Sequence, residues 1–356
     1  MHSLSARYLD DLRFGPAQVA RLAQLGEARG RQVLFQHQRP ETLASLRQVA
    51  LIESSESSSR LEGIVAPRER IEALVLRPTT PIGRSEQEIA GYRDALALIH
   101  ESFDRDDAES HEPMPFSVNV LLQLHGLLYR HEGTPAGQFK VKNNEIVERT
   151  QGGTLVRVRF RPTPALETPD AMDTLIARYD EAIDRTDMTP LVVVPLTILD
   201  LLCIHPFKDG NGRVARLATL LLLYAHGFEV GRYISLERII EQSKARYYET
   251  LEASSERWHE GRHDPHPWLD YFWGVMLRAY AEFEQRVEVL ANVSKTDLVR
   301  SAVERQTAPF ALSDIEAACP TVSRELVRRS LRALRAEGVI ELQSRGRGAR
   351  WIRNEQ

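Results

Sequence analysis

Two cysteines in 356 residues, Cys203 and Cys319, are too few and too far apart for a disulfide framework or a cysteine-based zinc site. That scarcity fits a reducing compartment, and the expected location is the cytoplasm. A dominant charge is lacking too: 46 Lys and Arg against 50 Asp and Glu leave a net charge of −4, which argues against a global polyanion-binding surface. No long hydrophobic run is present. The most apolar stretch, 191–207, is interrupted by Pro195, Thr197, Asp200 and Pro206, short of the ~20 apolar residues a membrane span needs. Residues 1–11 hold no basic segment followed by an apolar core, so neither a signal peptide nor a membrane partner is expected. Strand-like alternation is also rare. What remains, 42% hydrophobic and 27% charged, is an ordinary globular composition, long enough for two or three units of ~100–200 residues.

Helical periodicity dominates, over 16–30, 42–60, 85–105, 117–131, 168–185, 190–204, 213–226, 241–256 and 267–290. The clearest alternation flanks Gln151-Gly152-Gly153, where Ile146–Arg149 and Leu155–Phe160 read as a β-hairpin. The last 60 residues change character. Helices over 297–306, 312–319 and 323–337 precede two short strands around Ser344-Arg-Gly-Arg-Gly348, the pattern of a winged helix-turn-helix. From Thr321 to Arg353 there are nine arginines against three glutamates, so DNA contact through 321–353 is a partner reading, beside dimerisation or protein docking.

The densest chemistry lies in 205–216, His-Pro-Phe-Lys-Asp-Gly-Asn-Gly-Arg-Val-Ala-Arg. His205 is a candidate general base and Asp209 a candidate Mg²⁺ ligand. Gly210, Asn211 and Gly212 let a backbone approach an anion at the start of a helix. Arg213 and Arg216, three apart, share a helical face and are expected to clamp one polyphosphate.

This stretch resembles, position for position, the His-Pro-Phe-x-[Asp/Glu]-Gly-Asn-Gly-Arg-x-x-Arg signature of Fic-domain proteins. The resemblance implies a mainly α fold: a Fic-type helical core with a β-hairpin flap, followed here by the winged helix. The implied division is 1–84, a helical region with an inhibitory motif; 85–290, the catalytic core; and 291–356, the winged helix-turn-helix. It implies transfer of AMP from ATP to a Ser, Thr or Tyr hydroxyl of a target protein, unidentified or the chain itself. His205 would be catalytic, Asp209 would hold Mg²⁺, and Gly210, Asn211, Gly212, Arg213 and Arg216 would bind the phosphates. The segment 137–161 occupies the place of the flap, with Lys140, Asn144 and Ile146 as its site residues. Lys140 stands where the family usually has arginine. Tyr248 is a candidate adenosine contact. Ser58-Ser-Arg-Leu-Glu62-Gly63 matches the family's inhibitory motif, in which Glu62 would pair with Arg216. Removal of AMP by hydrolysis, and a DNA-binding regulator that only senses ATP, are the alternative functions. A homodimer is left open.

One decoy needs separating. His259-Glu-Gly-Arg-His263 has the zinc-protease spacing, with His266 close behind, but Gly261, Pro265 and Pro267 argue for a loop, where the two histidines share no helical face.

Overall fold

The computed structural model describes residues 3–38, 40–77, 79–104, 114–149, 155–292, 295–306, 309–319, 322–344 and 350–354. The chain is mainly helical. In order run α1 (Ala6–Asp11), α2 (Pro16–Gln38), α3 (Pro40–Leu61), α4 (Arg68–Leu76), α5 (Arg84–Ser102), α6 (Val118–Leu128), β1 (Ile146–Arg149), β2 (Leu155–Phe160), α7 (Thr168–Ile183), α8 (Pro190–Ile204) and α9 (Asn211–Ala225). Then follow α10 (Leu236–Gln242), α11 (Lys244–Ser255), α12 (His266–Asn292), α13 (Lys295–Glu304), β3 (Phe310–Ala311), α14 (Leu312–Ala318), α15 (Arg324–Ala336), β4 (Ile340–Ser344) and β5 (Arg350–Arg353). Two compact units result, 1–283 and 284–356. Residues N-terminal to 85 belong to the first, because α3 packs on α4, α5 and α10. Among the described residues no helix is long and apolar enough to cross a membrane.

At the centre of the first unit lies α8, apolar nearly all round and buried from Leu191 to Leu201. Pro195 stands inside this helix and leaves the Leu191 carbonyl without its helical N–H. The indole Nε1–H of Trp273 donates to that carbonyl at 2.7 Å, and Trp268 Nε1–H donates to the Pro195 carbonyl at 2.7 Å. Trp273 of α12 thus fills the acceptor that Pro195 leaves open, Trp268 adds a second tie to the same helix, and α8 runs on to Ile204.

The run 54–59 is helix rather than linker. All six side chains are buried, since serines let α3 approach α10 closely. Ser54 Oγ donates to Glu237 Oε2 at 2.8 Å, while Ser55 and Ser59 bond back to the carbonyls of Leu51 and Ser55. The helix stops at Gly63, whose φ of 82° is a left-handed cap. There the N–H of Ile64 reaches Ser59 O and that of Gly63 reaches Arg60 O, both at 3.0 Å.

β1 and β2 pair antiparallel, Ile146 opposite Phe160 and Glu148 opposite Arg157. The Gln151-Gly152-Gly153 turn expected between them lies outside the described residues. In the second unit three strands in the order β3-β5-β4 accompany α13, α14 and α15 over a core of Val299, Val303, Phe310, Ile315, Val327 and Leu331. Residues 345–348, the expected tip of the β4–β5 connection, also lie outside the described residues.

Candidate active site

The helix α8 ends at His205, whose φ of 52° and ψ of 62° are left-handed, an uncommon state for a residue with a Cβ. Pro206 follows directly and bars helical continuation. The chain turns through 206–210 and re-enters a helix at Asn211, with Gly210 as left-handed cap, φ 79°. Asn211 closes this loop on itself. Its Oδ1 accepts from Phe207 N at 2.9 Å and its Nδ2 donates to Phe207 O at 2.8 Å, with the side chain buried.

His205 is half-buried, and its Nδ1 lies 3.2 Å from the Leu202 carbonyl. A carbonyl only accepts, so Nδ1 carries the hydrogen and Nε2 keeps a free lone pair. Burial pushes the imidazole down from 6.5 to about 4, against the opposing pull of the Leu202 bond. It is therefore neutral at pH 7 and competent as a base. Asp209 is exposed beside it, one carboxylate oxygen accepting from Gly210 N at 2.7 Å.

Both residues line an open cavity of about 1070 Å³ that also contains Gly210, Asn211, Gly212 and Arg216. Its apolar side is formed by Phe160, Leu199, Leu202, Cys203 and Leu251, with Tyr248 on the rim of Glu62. The Tyr248 hydroxyl donates to Leu61 O at 3.4 Å, and Lys244 Nζ donates to the same carbonyl at 2.9 Å. The end of α3 is thus fastened to α11.

The two signature arginines part company, which corrects the expectation of one shared clamp. Arg216 is buried; Nε donates to Ser58 Oγ at 2.9 Å, and Nη2 to Ser58 O at 2.9 Å and Glu62 Oε1 at 2.8 Å. Arg213 does not line the cavity. Its Nη1 pairs with Glu88 at 2.7 Å and its Nη2 donates to the Tyr129 hydroxyl at 2.8 Å, over whose ring the guanidinium lies at 5.1 Å. The i,i+3 spacing does put both arginines near one face, but α9 passes between α3 and α5, and each neighbour supplies its own carboxylate.

The Glu62 carboxylate sits directly on the first turn of α9. A Cβ added at Gly212 would meet Glu62 Oε1 at 2.4 Å, so a larger residue there would displace the carboxylate. Glycine at 212 is what admits an anion there, among amide N–H groups that no helical carbonyl engages. The site is built to take a negative charge, and in this structure Glu62 supplies it.

The segment that leads into β1 is tied to the loop 205–210. Lys140 N donates to Pro206 O at 2.9 Å, and its buried Nζ donates to Asn144 Oδ1 at 2.9 Å and Ile204 O at 3.0 Å. Desolvation pushes this amine down to about 8. Asn144 Nδ2 donates in turn to Phe207 O at 3.0 Å, and Ile146 joins the cavity wall. Two point acceptors suit an ammonium, so lysine serves at 140 without a guanidinium fork.

Sequence reasoning missed His125. Its ring stacks on Phe207, centroids 4.0 Å apart and 4° from parallel. Nδ1 accepts from Gly137 N at 2.9 Å, which leaves Nε2–H to donate to Asp209 O at 3.2 Å. One neutral histidine, held down to about 4 mainly by burial, joins Gly137 to the loop at Asp209. Its available signal was His125 near the end of the mostly apolar α6 with Tyr129 at i+4, just past the helix end.

The zinc-like triplet disperses. His259 Nε2–H donates to Arg161 O at 2.8 Å, His263 stacks on Tyr8 with Nε2 2.9 Å from Ser3 Oγ, and His266 lies 3.1 Å from Gln18. Among the described residues no group of three or more His, Cys, Asp or Glu could hold a metal by itself.

Comparison with known proteins agrees with this geometry. Residues 115–223 match the profile of the Fic/DOC family. A Fido domain-containing protein of Dictyostelium discoideum is 26% identical over 139 residues, 39% of this chain and 78% of that protein. The solved structure of a Fic family protein from Desulfovibrio desulfuricans superposes with a TM-score of 0.63 at 21% identity, over 97% of this chain and 98% of that one. Fic-1 from C. elegans gives 0.58 at 16% identity, over 77% and 74%. The solved structures support the mainly helical fold, and residues 115–223, which hold the 205–216 loop, are the part of the chain that resembles the Fic/DOC family.

Proposed function

We propose that this chain transfers AMP from ATP to a hydroxyl side chain of a protein, and that Glu62 holds the transfer in check. The observation that carries the reading is His205, neutral, with Nε2 unprotonated in the wall of a cavity that ends at the α9 N-terminus. In the reaction the hydroxyl oxygen attacks the α-phosphorus while its proton passes to Nε2. The bond from the α-phosphorus to the bridging oxygen breaks, and pyrophosphate leaves. Gly210, Asn211 and Gly212, with the first amides of α9, stabilise charge on the phosphate oxygens. Of the two signature arginines, Arg216 is the one that lines the cavity and is within reach of the terminal phosphates. Arg213, held by Glu88 and Tyr129, keeps α9 and its loop in place instead.

Mg²⁺ fits the residues present. Asp209 is an exposed carboxylate on the cavity floor, and a hard ion that takes most ligands from substrate phosphates and water needs little more from the protein. When bound it would neutralise phosphate charge.

The brake follows from the same contacts. An arginine held by Ser58 and Glu62 cannot at once grip phosphate, and a carboxylate over Gly212 repels one. Incubation with α-labelled ATP and Mg²⁺ tests both parts. Wild type should label substrate or itself weakly, Glu62→Gly should label at least tenfold more, and His205→Ala in the Glu62→Gly background should lose ~10²–10⁴ of that rate. Undiminished labelling by the His205→Ala chain would end the assignment of the base.

A further inference from the structure

The second unit carries a charged face that the active site does not use. Along α15, Val327, Ser330, Leu331 and Leu334 are buried, Leu326 packs against the same apolar cluster, and Arg328, Arg329, Arg332 and Arg335 are exposed. At about 100° per residue, Arg328, Arg332 and Arg335 fall within a strip of about 60°, with Arg329 beside it. Nearby arginines have carboxylate partners: Arg324 pairs with Glu316 at 3.2 Å and Arg300 with Glu337. Among the described residues no carboxylate pairs with the four on this strip. Glu325 is the one acidic side chain exposed on the same side of the helix.

We infer that α15 docks in the major groove of duplex DNA, its arginines against phosphates and base edges. Like charges at i,i+4 spacing, as at Arg328 and Arg332, cost a helix a few tenths of a kcal/mol, and among the described residues one exposed carboxylate, Glu325, stands beside four arginines and pairs with none. A polyanion offsets that cost. The helix itself fits: its diameter of about 10–12 Å matches the ~12 Å major groove of B-DNA, and the rise from Arg328 to Arg335, about 10 Å, covers roughly three base-pair steps. The deep, narrow major groove of duplex RNA would not admit it. Guanidinium is also the group that meets phosphate and guanine edges bidentately. The face is built on a unit with its own apolar core, which makes it a rigid platform rather than a tail.

The test uses the full-length chain and a fluorescent 30-base-pair duplex of mixed sequence, followed by anisotropy from 50 to 300 mM KCl. Binding should weaken steeply with salt, log K against log salt having a slope of about −3 to −4 for four phosphate contacts. The double variant Arg328→Ala, Arg332→Ala should bind at least tenfold more weakly at 100 mM KCl, with a slope shallower by about two. Both positions are exposed, and an unchanged melting curve checks that the variant is folded. No binding at 50 mM KCl would overturn the proposal, as would an unchanged affinity in the folded double variant. Equal binding to a 30-base-pair RNA duplex would overturn the groove assignment. Equal binding to poly-glutamate would move the face to an acidic protein partner.

Discussion

The imidazole of His205 depends on one backbone carbonyl for its usefulness. Leu202 O fixes the hydrogen on Nδ1, and burial keeps the ring neutral far below its ordinary pKa of 6.5. This has a kinetic consequence. A general base must be unprotonated, and the neutral form persists at every pH above the lowered pKa. The acid limb of kcat/KM, measured on Glu62→Gly to remove the proposed brake, should therefore fall as pH drops through about 4 to 5, with a plateau from there to neutrality. A limb centred at 6.5 would mean that the ring is solvated in the working enzyme. Glu88 shows the opposite use of burial. It and Arg213 are 6% and 2% exposed in their side chains, so each charge depends on the other, and neither is free for substrate.

At the scale of elements, what the sequence discloses divides by the distance over which each contact closes. The loop 205–212 is legible because its ties are local: Asn211 bonds Phe207 four residues back, and Asp209 bonds the next amide. The partners of the arginines are not legible. Glu88 and Tyr129 lie 125 and 84 residues from Arg213, and only packing brings them together. His125 is hidden for the same reason: a histidine in a mostly apolar helix looks like core until Gly137 and Asp209 are seen on its two nitrogens. The serines of α3 are ambiguous by composition, and their burial against α10 is decided by the neighbour. Glu62 is the case where a short motif predicted a contact 154 residues away, with Arg216. Because α3 is fixed by Ser54 to Glu237 and at its end by Lys244, the carboxylate is held at α9 rather than sampling it. A coupling cycle measures this. Glu62→Gly should raise transfer, while Glu62→Gly, Arg216→Ala should give no rise over Arg216→Ala alone. Additive effects of the two changes would show that the carboxylate acts without the arginine.

Among the described residues of the first unit, burial lowers four histidines, His100, His125, His205 and His226, below their ordinary value, and this shapes its response to acid. Burial takes His100 down to about 3, and His125 and His205 to about 4, against 6.5 for each in an unfolded chain. Below pH 6.5 the unfolded chain binds protons that the folded one refuses, so the stability these rings contribute is complete above 6.5. It is lost progressively as pH falls from 6.5 toward the folded values near 4 and 3, and the loss is complete below them. Asp200 works the other way. Burial raises it to about 6, despite bonds from Ser3 and the Trp258 indole, so it favours the folded state as pH falls toward 3.8. His125, buried and stacked, accounts by itself for on the order of 2–3 kcal/mol across pH 7 to 4, about what Asp200 returns. The half-buried His100 and His205 add smaller terms of the destabilising sign, and the balance is a net loss. The melting temperature of the first unit, followed by tryptophan fluorescence since all four tryptophans but Trp351 lie in it, should decline by several degrees from pH 7 to 4.5, with a steeper decline in Asp200→Asn, where the opposing carboxyl is gone. If the variant declines no more steeply than the wild type, the buried carboxyl is not titrating in this range and the account of acid sensitivity is wrong.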